Sequence, residues 1–262
     1  MKTGLDLRLP HPTRGALAVW RRNALVWSKL ALPGLLFNFG EPLLYLVGLG
    51  YGLGRFIGEM DGISYFAFLA SGLLASAAMN TASYEGLFSV YTRMVPQQTY
   101  DGMLATPLDV DDIVAGETLW CATKGLISSS AILIVGYAAG ALSGFGAVLC
   151  LPLFILSGLC FAGPAMAMSA ISPSYDFFNY YITLVMTPMF IFCGVFYPVA
   201  GLPQAVQDAV QVLPLTHAVA LIRPLATGQA IADPLLHAGV LSAYALGGFY
   251  VAVVMIRRRL VK

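Results

Sequence analysis

Long apolar stretches separated by short polar ones set the plan of this sequence. Runs over residues 32–54, 63–84, 119–142, 146–171, 178–197 and 235–256 are each apolar and long enough to read as membrane-crossing helices. A helix rising about 1.5 Å per residue needs roughly 20 apolar residues to cross a hydrocarbon core about 30 Å thick. The pattern predicts an all-α integral membrane protein with six crossings, organised as one transmembrane domain over residues 1–262. Pro33, Gly34, Asn38, Gly40, Glu41 and Pro42 interrupt the first run, so it is not expected to face lipid all round. Small residues in the second run (Ala70, Ser71, Gly72, Ala75, Ser76, Ala77, Ala78) allow close helix packing, as do Gly48, Gly50, Gly52 and Gly54 in the first. A tight turn around Ser143 and Gly144 joins the third and fourth runs.

Three segments outside these runs also carry a pattern. Over residues 14–31, Leu17, Trp20, Ala24, Trp27 and Ala31 share one helical face and Arg14, Arg21 and Lys29 lie away from it, which predicts an amphipathic helix in the membrane interface. The alternative is a plain basic flank that only sets topology. Residues 85–117 form the longest polar stretch, in which Pro107 breaks the chain and Asp109, with Asp112 three residues on, is placed to cap a following helix. In the connection 198–234, Leu202, Val206, Val210 and Leu213 oppose Gln204, Gln207, Asp208 and Gln211. That describes a short amphipathic helix ended by Pro214 and followed by a short apolar stretch from Thr216 to Leu225. Neither piece is long enough to cross, so together they read as a re-entrant outer hairpin.

Composition agrees and adds orientation. Of 262 residues, 58% are hydrophobic and 10% charged, against roughly 25% charged in an average soluble domain. Ten of the 14 Lys and Arg residues flank the first and last runs (Lys2, Arg8, Arg14, Arg21, Arg22, Lys29; Arg257, Arg258, Arg259, Lys262), which places both termini in the cytoplasm and requires an even number of crossings. The 85–117 stretch is then cytoplasmic, although Asp101, Asp109, Asp111, Asp112 and Glu117 outweigh Arg93 there, so it gives that orientation no local support. Cys121, Cys150, Cys160 and Cys193 all fall within expected spans with no metal-ligand or disulfide spacing, and read as packing residues. The N-terminal residues lack the short apolar stretch and small-residue cleavage site of a signal peptide, so the first span is expected to stay in the mature protein.

No phosphate-binding G-x-x-x-x-G-K-[ST], H-E-x-x-H or G-x-S-x-G motif is present, so the chain is not expected to be an enzyme, to hold a metal or to bind a cofactor of its own. Energy for any transport must come from a partner or an ion gradient. Glu41 stands out within a span, because a carboxylate at the bilayer centre costs about 2.5 to 3.5 kcal/mol. It could pair inside the bundle, stabilise a dimer interface, face a translocation path, or sit with Pro42 where water reaches it. Lys124 can snorkel to the cytoplasmic surface. His217 and Arg223, in the outer hairpin, are placed to contact a polar head group or to bond freed backbone carbonyls.

The run CGVFYPV from Cys193 to Val199, with Leu202, Pro203 and LPLTHAVALIRPLATG from Leu213 to Gly228, resembles the motif of type-2 ABC exporter permeases. DGMLATPLDVDDIVAGETLW from Asp101 to Trp120, WRRN at Trp20 to Asn23, EPLLYLVGLGYGLG at Glu41 to Gly54 and SPSYDFF at Ser172 to Phe178 resemble the branch that exports rhizobial lipo-chitooligosaccharide nodulation signals. The resemblance implies a bacterial inner-membrane permease working as a homodimer with two copies of an ABC ATPase subunit of the nodulation-exporter kind, which uses the ATP and Mg. It implies a coupling helix at about Gln97 to Leu108, with Gln97, Tyr100, Asp101, Met103, Leu104, Pro107 and Asp109 meeting the ATPase. It also implies an amphiphilic glycolipid cargo, for which Phe37, Glu41, Tyr45, Tyr51, Tyr181, Phe190 and Phe196 are candidate path-lining residues, and an outer hairpin marked by Pro198, Pro214, His217 and Arg223. Membrane lipids are the other expected contacts, and no nucleic acid is. The same architecture suits a polysaccharide or drug exporter, and a channel or secondary transporter is the alternative outside the family. The latter would be expected to show internal repeats or several buried ionisable groups for coupling ions, and the sequence shows neither clearly.

Overall fold

The computed structural model describes residues 6–29, 31, 40, 43–142 and 145–260. Phe37 and Glu41 lie outside the described residues, as do most of the first half of the expected first span and the Ser143–Gly144 turn. The chain forms α1 (Gly15–Ser28), α2 (Leu43–Ile57), α3 (Tyr65–Met94), α4 (Thr99–Leu104), α5 (Val110–Ala138), α6 (Cys150–Ile171), α7 (178–192), α8 (Gln204–Val210), α9 (Pro214–Thr227) and α10 (Pro234–Leu260). A two-stranded hairpin, β1 (Glu59–Met60) and β2 (Ile63–Ser64), separates α2 from α3. Its turn residues Asp61 and Gly62 both have positive φ, the geometry that closes a two-residue hairpin.

Among the described residues, four helices, α3, α5, α6 and α10, are long and apolar enough to cross a bilayer, and α8 with α9, bent by 88°, would make a fifth if taken as one span. α2 is shorter, and α7 ends at Phe192, whereas the expected span reaches 197. Gly194, at φ +83°, turns the chain just beyond it. Pro214 does not merely end α8; it occupies the first turn of α9, where its missing N–H costs nothing.

Two helices are longer than hydropathy suggests. α3 continues from Tyr84 through Met94 and α5 starts at Val110 rather than near 119, so the expected inner loop of 85–117 shrinks to 95–109 around α4. The extra turns are polar in sequence but buried in the fold, because their charges find partners within the bundle. At the start of α5, the Asp109 N–H donates to Asp112 Oδ2 at 3.4 Å, the capping contact expected there.

The core is assembled by backbone-close packing. A Cβ on Gly158 of α6 would lie 2.6 Å from Ala122 Cα of α5, and Gly163 of α6 abuts the Gly248 backbone of α10. Of the glycines in α2, Gly50 is overlain by Phe66, while Gly48 and Gly52 face open space within the chain. All four cysteines are buried.

α1 is rotated from its expected setting. It packs on α5 through Ala16, Val19 and Asn23, which are buried, with Trp20 and Trp27 partly so, while Leu17 stays 59% exposed. Gly116 permits this approach, since a Cβ there would meet Ala16 O at 2.6 Å. Polar contacts decide the rotation: Trp20 Nε1 donates to Thr123 Oγ1 at 2.9 Å, and Asn23 is drawn inward to a buried carboxylate.

Candidate functional site

Where α1, α3 and α5 meet, beneath α4, four ionisable side chains come together, Glu85 and Glu117 buried and Arg93 and Lys124 mostly so. Arg93 Nη2 donates to Glu117 Oε2 at 2.6 Å and to Glu85 Oε1 at 3.1 Å, and Lys124 Nζ bonds Glu85 Oε2 at 2.9 Å. Two acids and two bases balance, which is what allows charge to leave water at all. Neutral donors complete the cluster: Trp120 Nε1 to Glu85 Oε1 at 3.1 Å and Asn23 Nδ2 to Glu117 Oε2 at 3.0 Å, with Arg22 bonding Asn23 Oδ1 at 3.0 Å. Lys124 therefore points inward to Glu85 and does not snorkel. A buried carboxylate offers it an ion pair that the surface does not.

Each partner is placed by its helix. Glu117, Trp120 and Lys124 recur at spacings of three and four along α5, one face of a helix. Glu85 opens a π-helical turn, Glu85–Ser89, inside α3. Such turns are rare and frequently mark functional sites. Gly86 in that turn lets α6 approach, a Cβ there lying 2.9 Å from Ala165 Cβ.

α4 connects to this cluster through Tyr100, which is fully buried. Burial and the adjacent Glu117 carboxylate hold its phenol well above the ordinary tyrosine range. Tyr100 Oη, Arg93 Nε and Glu117 Oε1 are all buried without a hydrogen-bond partner among the described residues. Of the other expected coupling residues, Gln97, Asp101, Pro107 and Asp109 are exposed, and Met103 and Leu104 are half-buried against the core. The segment thus has an outward face of Gln97, Asp101 and Pro107 and an inward plug at Tyr100.

A second set of contacts ties the chain ends to α5. Arg257 of α10 forms a two-pronged ion pair with Asp111, Nε to Oδ1 at 2.8 Å and Nη2 to Oδ2 at 2.5 Å, and donates to Arg8 O at 2.8 Å. The His11 N–H donates to Asp111 Oδ2 at 2.8 Å, the Thr13 N–H to Asp112 Oδ1 at 2.5 Å, and Tyr250 Oη to Leu7 O at 2.9 Å. Asp111 and Asp112 are thus used inside the fold, while Asp101 and Asp109 stay exposed. Arg259 Nη1 donates to Ser169, Ala170 and Ser172 carbonyls at 2.8 to 2.9 Å, satisfying the open end of α6.

At the opposite end of the bundle, Arg223 stitches α9 to its neighbours. It donates to Gly194 O at 2.6 Å, Ser71 Oγ at 3.1 Å and Phe68 O at 3.3 Å, with its guanidinium 3.6 Å over the Phe68 ring. His217 is buried, with Nε2 2.8 Å from Gln211 O and Nδ1 2.7 Å from His237 Nδ1. Pro198 is half-buried and Pro214 buried.

Of the aromatic candidates, Tyr45, Phe190 and Phe196 come together, with ring centroids 4.9 to 5.8 Å apart. Tyr51 lies apart from them against Phe66, and Tyr181 is half-buried at the start of another π-helical turn, Ile182–Met186. Sequence reading missed the cluster of Phe88, Tyr91, Tyr175 and Phe178, joined by Tyr91 Oη to Pro173 O at 2.8 Å. The signal available was the SPSYDFF run itself.

The profile of the ABC-2 type transporter family matches residues 14–225. Nodulation protein J of Rhizobium leguminosarum bv. viciae is 45% identical over 97% of this chain and 98% of its own length. Nodulation protein J of Bradyrhizobium diazoefficiens is 41% identical over the whole of both chains. The inner membrane transport permease YadH of Escherichia coli K12 is 22% identical over 76% of this chain and 75% of its own. No solved structure matches the chain significantly.

Proposed function

Because this chain belongs to the ABC-2 type transporter family, we propose that it is the permease of an exporter that moves a lipo-oligosaccharide, of the nodulation-signal type or a related glycolipid, out across a bacterial inner membrane. The similarity to proteins named Nodulation protein J, running over nearly the whole of both chains, carries the reading of the cargo. In this reading two copies of the chain work with two copies of a separate ATPase subunit, which binds and hydrolyses ATP with Mg. Both termini lie in the cytoplasm, six segments cross, and α8 with α9 forms the outer hairpin.

The buried cluster supports the coupling mechanism. The outward face of 95–109 meets the ATPase. Force on α4 reaches Tyr100 and, through Arg93 and Glu117, the three helices α1, α3 and α5 together. Tyr100 Oη, Arg93 Nε and Glu117 Oε1 meet at that joint with spare hydrogen-bonding capacity, which a shift of α4 could use. The π-helical turn beside Glu85 gives α3 a place to re-register. At the far end, Arg223 holds the hairpin closed on Gly194 and Phe68. The Tyr45, Phe190 and Phe196 rings, next to the exposed residues Leu44, Val47 and Leu184 of α2 and α7, border the path where a second copy would face them.

Mass spectrometry of glycolipids in cells lacking the gene tests the cargo. Retained lipo-oligosaccharide that is released again on complementation supports it, and retained sugar-polymer intermediates would reassign the cargo. Export by the chain alone in liposomes, with no ATPase, would overturn the mechanism.

A further inference from the structure

An apolar groove runs between α1, α5, α6 and α10, walled by Leu17, Leu119, Leu159, Ala245, Leu246 and Phe249 and about 360 Å³ in volume. Leu17, Leu119 and Leu246 are exposed along it. Its depth follows from helix rise. Leu119 lies nine residues into α5, ~13 Å from its start, and Ala245 twelve residues before Arg257, ~18 Å. One leaflet of hydrocarbon is about 15 Å deep. The groove therefore spans one leaflet and opens laterally, the setting of an acyl chain.

Beside Leu17, on the wall that α1 gives the groove, the chain is basic. Arg14 and Arg21 stand three residues before and four after Leu17, which in a helix puts them beside it on the exposed face of α1 and not away from it as expected. Among the described residues neither forms an ion pair, although six other basic-acidic pairings are made. The rotation of α1 produces this arrangement. Turning Asn23 inward to Glu117 turns Leu17 and its two flanking arginines outward over the groove.

We propose that this groove is a binding site for one anionic phospholipid, its head group held between Arg14 and Arg21 and one acyl chain laid along Leu17, Leu119 and Leu246. The inference rests on the membrane placement of these helices and not on the cargo or the ATPase. Its occupant is a resident lipid that fixes α1 against α5, next to the buried charge cluster.

All three tryptophans of the chain, Trp20, Trp27 and Trp120, lie on α1 and α5, so brominated lipids report on the site. The full-length protein is reconstituted in vesicles of phosphatidylcholine and phosphatidylglycerol, with brominated chains on one lipid or the other. Phosphatidylglycerol is expected to quench preferentially, and the preference to fall about fivefold for each of Arg14→Gln and Arg21→Gln. Arg258→Gln, which removes a charge away from the groove, keeps the preference. Ala245→Phe fills the groove and lowers quenching by brominated phosphatidylglycerol with both arginines in place. Equal quenching by the two lipids in the unaltered protein would overturn the site, as would an Arg258→Gln effect equal to that of Arg14→Gln. The arginine substitutions are on an exposed face, so they remain informative if Ala245→Phe fails to fold.

Discussion

Arg93 is the residue on which the buried cluster balances, because it touches both carboxylates. Replacing it with methionine leaves Glu85 with Lys124 but strands Glu117, and removing one partner of a buried pair costs about 3 to 5 kcal/mol. Arg93→Met is therefore expected to lower the denaturation midpoint sharply, while the double change Arg93→Met with Glu117→Gln recovers most of the loss. A thermal melt of the four proteins of that cycle checks it; equal loss in the single and double variants would remove the pairing from the account. Tyr100→Phe keeps the buried ring and deletes a hydroxyl set beside Arg93 and Glu117. It is expected to leave stability within about 1 kcal/mol while uncoupling ATP hydrolysis from export, measured as ATPase rate against cargo released. The sequence could show that Glu117, Arg93 and Lys124 were present but not that they were joined. Their spacings, 24 and 31 residues from Arg93 to Glu117 and Lys124, carry no local pattern, and hydropathy assigns polar residues to loops whether or not a partner lies across the bundle.

At the scale of elements, that blind spot explains where the reading succeeded. Apolar runs located α3, α5, α6 and α10 because a period and a length are enough to mark a buried or lipid-facing helix. They misplaced the polar ends of α3 and α5, which are helical because Glu85, Arg93, Asp111, Asp112 and Glu117 are paired. The face of α1 was misread for the same reason: Asn23 counts as polar along the chain and is buried in the fold. A test of this setting follows from Gly116. Gly116→Val would drive a side chain into the Ala16 carbonyl, 2.6 Å from the position of a Cβ, and is expected to lift α1 from α5. Hydrogen exchange measured peptide by peptide should then rise over residues 15–28 and leave α6 and α10 protected. Unchanged protection in α1 would show that the helix tolerates the intrusion.

For the whole molecule, the two ends of the bundle are built differently. One gathers the 95–109 segment, the charge cluster and both chain ends, and the other closes on Arg223 and the His217–His237 contact. Polar substitution of exposed positions on the first, Gln97→Glu with Asp101→Lys, is expected to weaken copurification of the ATPase subunit without changing the melting temperature. Substitution of Arg223 by Gln frees three acceptors at the second. It is expected to raise ATP-independent leak of a fluorescent amphiphile from vesicles while the ATPase still copurifies. If both changes affected only ATPase binding, the division between the ends would fail.

The Arg257 contacts also set an order in time. Arg8 offers its carbonyl to a guanidinium 249 residues away in the chain, and at about 5 to 20 residues per second of synthesis the donor emerges roughly 12 to 50 s after the acceptor. Asp111 appears in between and must wait, as a buried carboxylate without its cation, until α10 is inserted. The fastening of Leu7 and Arg8 to α10 is thus among the last contacts to form. It records that every helix between has arrived, so a chain stalled before Arg257 would keep His11 and Thr13 on α5 and leave the residues before them unfastened, open to proteolysis.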